Sequence, residues 1–223
     1  MFTDYCPSCR LPGTSALLCP SCSRQALQER FDTFMTRCPA CFHPLVSEIY
    51  VCRECTMRIY SAYDYSASFV RRLVVRWKLE GERNLSPLVS DMFSDILAGL
   101  DLLPGKVSLA KVPASRKGKR RRGWDHMADV LSFLRHRKGY DVSDIIVRTR
   151  AGSGEQQKKL NRSGRLDAAL SAFTIRKNFR KPTLPVVILD DITTTGASLH
   201  ACRSILENAG IEVWGAVTLL QQL

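Results

Sequence analysis

The stretch "VVILDDITTTGASLHACRSIL", residues 186 to 206, decides how this chain is read. Its first four residues, Val186 to Leu189, are continuously apolar and mostly β-branched. That pattern predicts a strand covered on both faces, as in a parallel sheet. From Gly196 onward, Leu199, Cys202, Ile205 and Leu206 recur at helical spacing, and Gly210 supplies a stop. Strand, polar turn and helix make half of a βαβ unit, and ligands of such sheets bind beyond the carboxyl ends of the strands. The turn at 192–198 offers the hydroxyls of Thr193, Thr194, Thr195 and Ser198. It also offers free amides at a helix N-terminus, where the dipole favours an anion. A phosphate fits that cradle. Asp190 and Asp191 would repel the phosphate itself, but carboxylates accept strongly from hydroxyls, so the pair suits a sugar attached to it. A plain capping turn needs one such polar residue, not four.

The chain around this stretch has 223 residues, 45% of them hydrophobic, enough for one substantial core and a small module. No apolar run approaches membrane-spanning length, so no membrane insertion is expected. The opening "MFTDYCPSCR" lacks the charged-then-apolar pattern of a secretory signal, and the expectation is a soluble cytoplasmic protein. The net charge of +12 points to an anionic partner, nucleotide or nucleic acid. Residues 1–60 hold six Lys/Arg against five Asp/Glu, so nearly all the excess lies beyond them.

Eight of the nine cysteines fall into four Cys-x-x-Cys pairs: Cys6/Cys9, Cys19/Cys22, Cys38/Cys41 and Cys52/Cys55. Nine residues separate the first two pairs and ten the last two. Each pair points two thiolates at one tetrahedral ion, and two pairs complete its shell. In a reducing compartment this pattern reads as two structural zinc ions rather than disulfides. The simplest assignment gives Cys6, Cys9, Cys19 and Cys22 to one ion, and Cys38, Cys41, Cys52 and Cys55 to the other; an interleaved pairing is the alternative. A module of this size builds little core, so metal supplies its folding energy. Cys202 stands apart, as a small side chain on the apolar face of the helix after the turn.

Between the two regions, Phe69, Val70, Leu73, Val74 and Trp77 make one helical stripe, with Arg71, Arg72, Arg76 and Lys78 outside it. Those cations are either a solvated face or a basic stripe beside the nucleotide site. A second stripe runs through Leu85, Leu88, Val89, Met92, Phe93, Ile96 and Leu97. "KVSLAKVPAS", 106–115, reads as the first clear strand of the sheet. The loop "RKGKRRRGWDH" follows, and Lys111–Arg122 holds seven basic residues and no acidic one. "DIIVRTR" reads as a further strand and "EVWGAVTLL" as the last.

Asp190-Asp191 followed by Ile-Thr-Thr-Thr-Gly-Ala-Ser resembles the phosphoribosyl-pyrophosphate (PRPP) loop of type I phosphoribosyltransferases. Within that superfamily the whole chain resembles the ComF family of competence-associated proteins, including its longer members with an N-terminal double zinc ribbon. The family pattern Val-Pro, several residues, Arg-Gly-aromatic stands here as Val112-Pro113 and Arg122-Gly123-Trp124. Asp125-His126 replaces the usual Asn-Gln. Gln157, Leu160, Arg165 and Phe173 match a later series, with Ala168 where asparagine is usual. The resemblance implies that Asp190 and Asp191 bind ribose hydroxyls, and that Thr193, Thr194, Thr195, Gly196, Ala197 and Ser198 cradle the 5′-phosphate. It implies that Ala114, Ser115 and Arg116 meet the pyrophosphate, with Mg²⁺ as the accompanying ion. Trp124 either stacks on a base or anchors the following helix. In several transferases of this kind an aspartate stands at the position of Thr194 as a proposed base, a role threonine does not fill near neutral pH.

The expected architecture is therefore an α/β parallel sheet flanked by helices, of type I phosphoribosyltransferase kind, over 61–223, behind a double zinc ribbon at 1–60. The expected ligand is PRPP or a nucleotide, in a phosphoribosyltransferase or in a non-catalytic nucleic-acid-binding module that uses the nucleotide as effector. Single-stranded DNA, held by Lys119, Arg120, Arg121 and Arg122, and proteins of DNA uptake are the further partners implied.

Overall fold

A computed structural model describes residues 5–6, 8–12, 18–30, 57–149 and 171–222. Five parallel strands form the main sheet, in the order β1-β7-β6-β2-β3. They are β1 (Ile59–Asp64), β2 (Ser108–Lys111), β3 (Asp141–Val142), β6 (Val186–Thr193) and β7 (Val213–Gln221). Two short strands, β4 (Ile146–Arg148) and β5 (Phe173–Ile175), pair antiparallel as a separate ribbon.

Side-chain alternation along β6 sorts the two faces. Val187 and Leu189 join the core built by α2 (Ser68–Lys78), α3 (Ser86–Gly99) and α5 (His126–Lys138). Val186 and Ile188 join the core on the other face, under α6 (Ala197–Asn208) and the β4–β5 ribbon. Covering both faces is what makes 186–189 continuously apolar, and all four residues are fully buried. The apolar stripe of α2 is likewise buried along Phe69, Val70, Leu73, Val74 and Trp77.

Several elements depart from the sequence expectation. The strand at 186–189 continues through both aspartates to Thr193, because β7 runs alongside it as far as Gln221 and supplies the ladder. The strand within 106–115 shrinks to four residues and is not the first of the sheet. An earlier strand, β1, lies at the edge beside β7. Gly215 permits that pairing: a Cβ there would lie 2.5 Å from the Arg58 carbonyl, which instead accepts from Ala216 N. The "DIIVRTR" strand belongs to the ribbon, not to the main sheet. The basic loop folds as a short helix, α4 (Arg116–Arg122), with Ser115 accepting from Gly118 N at its start and Gly123 in the left-handed region at its end.

The N-terminal segment packs on α2. Pro20 opens α1 (Pro20–Gln28) from within the second cysteine pair. Glu29, just beyond it, accepts from the amides of Phe69 and Val70 at 2.9–3.1 Å, filling donors that α2 leaves open at its own start. In the last turn of α2, Arg76 donates to the Ser8 carbonyl at 2.8 Å and pairs with Glu82. No helix among the described residues is long and apolar enough to cross a membrane.

Candidate functional site

The chain leaves β2 for β3 in one direction and β6 for β7 in the other, so the carboxyl ends of the neighbours β2 and β6 flank a topological switch point. The polar residues singled out in the sequence converge on this edge. Past β6 the chain turns through exposed Thr194 and half-buried Thr195 to Gly196, which takes φ 68°. Gly196 has no side chain to cap α6, and Thr195 Oγ1 reaches the Ala197 amide at 3.4 Å. The remaining first-turn amides of α6 stay open for an anion. Ser198 is half-buried in that turn, whereas Thr193 is buried inside the strand end.

The two aspartates differ in their surroundings. Asp191, 2% exposed, is held by two residues from other elements. Lys78 Nζ lies 3.0 Å from Oδ1 and 2.7 Å from Oδ2, His126 Nε2 lies 2.7 Å from Oδ2, and the Ile192 amide donates to Oδ1 at 2.8 Å. Burial works against its charge, but His126 and Lys78 outweigh it and hold the carboxyl well below the usual range. Asp190 is half-buried and accepts from the Asp191 amide at 3.0 Å. Burial, and then the Asp191 charge, push its pKa well above the ordinary carboxylate value.

On the β2 side, Lys111 is 9% exposed and pairs with Asp125 at 2.8 Å, while Lys119 of α4 reaches the same carboxylate at 2.6 Å. Burial opposes ionisation of Asp125, yet the two lysines hold its pKa down. Asp125 also caps α5 through Ala128 N. A cavity of about 510 Å³ opens here, bordered by Lys111, Ala114, Arg116, Lys119 and Asp125 and reaching Arg135 and Arg148. Ala114 and Arg116 thus line a basic cavity, while the Ser115 hydroxyl is engaged as the cap of α4. Arg120 and Arg121 project as exposed cations on α4, and Arg122 is half-buried.

Trp124 stands edge-on to Trp77 at 6.1 Å and to His126 at 6.2 Å, with Arg83 over its ring at 5.5 Å. Of its two readings, this packing favours the anchor. The cations outside the α2 stripe divide their work: Arg71 lies over Tyr65, Arg76 ties to Glu82 and Ser8, and Lys78 meets Asp191. Lys111 and His126 were not singled out from the sequence. The only signal for His126 was its place, with Asp125, in a departure from the family's Asn-Gln.

Beside the same last turn of α2, where Arg76 reaches Ser8, the Sγ atoms of Cys6, Cys9, Cys19 and Cys22 all lie within 4.8 Å of one another. A tetrahedral ion with bonds of about 2.3 Å needs about 3.8 Å between its sulfurs, inside that limit. The first two pairs therefore lie close enough together to hold one metal ion, the arrangement in the sequential assignment. Burial pushes the Cys22 thiol up to about 12, so a bound cation is what would hold all four as thiolates. Cys38, Cys41, Cys52 and Cys55 lie outside the described residues, as do Gln157, Leu160, Arg165 and Ala168. Cys202 is fully buried, with its thiol pushed up by burial.

No family model matches the chain. A stretch of 56 residues, 25% of the chain, is 30% identical to an adenine phosphoribosyltransferase of Dichelobacter nodosus (strain VCS1703A) and spans 32% of that protein. The structure of a hypoxanthine phosphoribosyltransferase from Staphylococcus aureus matches with a TM-score of 0.34 and 15% identity over 64% of each chain. The chain thus spans about a third of the one relative and under two thirds of the other.

Proposed function

We propose that this protein binds PRPP or a nucleotide at the switch point between β2 and β6, as the ComF resemblance implies. One observation carries the reading. A carboxylate with acceptor capacity to spare, Asp190, stands among the last four residues of β6, and the uncapped start of a 12-residue helix follows the turn beyond them. The carboxylate suits sugar hydroxyls, and the turn Thr194–Ser198 with the α6 amides suits the 5′-phosphate. Ala114 and Arg116, at the mouth of the basic cavity, suit the pyrophosphate. Mg²⁺ would enter with the pyrophosphate oxygens rather than in a protein cage, since the four cysteines are the one cluster of metal-ligating side chains among the described residues. That ion would supply neutralisation of the pyrophosphate charge.

Turnover, in this reading, is a phosphoribosyl transfer: a nucleophile bonds to C1 of the ribose while the pyrophosphate leaves with the electron pair of its C1–O bond. Lys111, Arg116 and the loop amides stabilise the departing charge. The cysteine module is a structural zinc site, given its all-sulfur donor set and closed shell. Titrating PRPP with Mg²⁺ into the protein tests the reading, with binding expected for wild type and weakened about tenfold or more in Asp190→Asn. A wild type that binds neither PRPP nor any nucleotide would overturn it.

The exposed cations of α4 favour a second reading, in which single-stranded DNA is the working partner and the nucleotide an effector. A role in DNA uptake alongside competence proteins in the cytoplasm rests on the family resemblance. Release of pyrophosphate from PRPP when nucleobases are added separates the transferase from the binding module.

A further inference from the structure

We infer that His126 and Lys78 are positioning residues that give the two neighbouring carboxylates different work: Asp191 is a fixed anchor of the strand end, and Asp190 alone accepts from the ligand's hydroxyls. The ligand is that of the proposed nucleotide site; the division of work stands on the geometry of the free protein.

An ionised carboxylate offers about four acceptor positions. At Asp191 four contacts fill them: Lys78 Nζ and the Ile192 amide at Oδ1, Lys78 Nζ and His126 Nε2 at Oδ2. Two of these donors come from α2 and α5, which pack on one face of the sheet, so turning Asp191 toward a ligand would take the acceptor from both. The His126 side chain is 5% exposed, and water cannot readily replace what it would lose; Lys78, 26% exposed, would be left with solvent on part of its ammonium. Asp190 accepts from the Asp191 amide, and its carboxyl lies against that of Asp191, with no other donor on it among the described residues.

The ring of His126 is itself fixed. It packs edge-on against Trp77 at 4.9 Å and lies 6.2 Å from Trp124. Its Nδ1 is buried and has no hydrogen-bond partner among the described residues. An imidazole whose one partner is a carboxylate at Nε2 carries a proton there and donates it. His126 is thus a donor aimed at Asp191, held by the aromatic pair.

Two measurements on the full-length protein test the inference. The first observes the imidazole protons of protein labelled with ¹⁵N-histidine. A protected Nε2 proton of His126 is expected in the free protein, retained at saturating PRPP with Mg²⁺ and lost in Asp191→Ala. Its absence from free wild type, or its disappearance on ligand binding, would overturn the assignment. The second compares PRPP affinities by calorimetry. Asp190→Asn is expected to weaken binding about tenfold or more, the loss of hydrogen bonds to a charged acceptor. His126→Gln, which keeps an amide donor, should stay within about twofold of wild type, and His126→Leu should fall below it by more. If Asp191→Asn loses as much affinity as Asp190→Asn while keeping the His126 proton signal, both carboxylates meet the ligand and the inference fails. If wild type binds no PRPP, the nucleotide reading falls separately, and the proton signal of the free protein still decides the role of His126.

Discussion

At the amino end of the chain four sulfurs crowd within 4.8 Å, and toward the carboxyl end of β6 two carboxylates stand next to each other in sequence. Both assemblies gather groups that repel once ionised, yet they are balanced in different ways. The sulfurs meet one another and a backbone amide: Cys9 lies 3.6 Å from Cys19, and Cys19 N donates to Cys6 Sγ at 3.4 Å. The acid pair has its donors built in, with the Lys78 ammonium on both oxygens of Asp191 and the His126 imidazole on one. The first site needs an ion from outside to hold its charge, and the second is closed on one carboxylate and open on the other. Helix α2 joins the two, with Arg76 bonded to Ser8 and Lys78 bonded to Asp191 in its last turn. Four experiments would break or sharpen this contrast.

The largest effect is expected at the sulfurs. Metal binding to such a site carries apparent free energies of about 10 kcal/mol or more, and that energy is folding energy. Cys19→Ser should lower the zinc content by one ion per chain and release the packing of α1 on α2, read by elemental analysis and by proteolysis near Glu29. Chelation should melt the same region before the sheet. Wild-type protein free of metal, with this region intact, would show that the cluster balances itself.

The next largest is expected at Lys78. Its partner is 3% exposed, so Lys78→Met leaves a buried carboxylate short of its main cation and should cost about 3 kcal/mol in urea unfolding. Lys106→Met provides the control. Its ion pair with Asp101 is 53% and 76% exposed, and its loss should cost about 0.5 kcal/mol or less. Equal losses for the two variants would mean that Asp191 finds water or another partner.

How much of this was legible follows from the range of each interaction. The β6–turn–α6 unit is local, and the apolar run, the glycine and the helical spacing all lie within 21 residues of sequence. The cysteine pairs announce their site because a two-residue gap is itself the geometry of the knuckle. Lys78 and His126 stand 113 and 65 residues from Asp191, and no local pattern carries that pairing. The edge strand β1 has a mixed sequence, IYSAYD, whose burial comes from lying beside β7. The helix in the basic run was the recoverable miss. Ser115 and Gly123 are a start and a stop at the right spacing, hidden by a charge run that reads as loop.

The two aspartates should move stability in opposite directions with pH. Asp191 has its pKa depressed in the fold, so its contribution is present above about pH 3.9, the unfolded value, and is lost as the pH falls further. Asp190 has its pKa raised, so the folded chain takes up a proton there. Its contribution is complete below about pH 3.9 and fades as the pH climbs toward the raised value. Asp190→Asn removes a carboxyl whose ionisation the fold opposes, and should stabilise the fold at neutral pH while weakening ligand binding about tenfold or more. Asp191→Asn should destabilise it. Thermal melts from about pH 2 to pH 8 would cover both windows, and parallel losses in both variants would contradict the contrast.

The smallest effect concerns α4 and the DNA reading. Single-stranded DNA binding weakens with salt at a log–log slope of about −0.7 per phosphate contacted. Replacing Lys119, Arg120, Arg121 and Arg122 with alanine would remove four contacts only if all four side chains were available. Lys119 is already paired with Asp125 at 2.6 Å, and Arg122 is half-buried, which leaves Arg120 and Arg121 as the fully exposed cations. The expected flattening is therefore nearer two contacts than four, about 1.4 in slope. Lys111 remains on Asp125 at 2.8 Å in that variant, so the wall of the basic cavity and the cap of α5 survive the change. Titrating a labelled oligonucleotide at several salt concentrations, with and without PRPP, measures both slopes. A flattening near four contacts would show that DNA pulls Lys119 off Asp125 and opens the cavity, which would couple the two ligands directly. Identical slopes for wild type and variant would remove α4 from DNA binding and leave its cations to the nucleotide site.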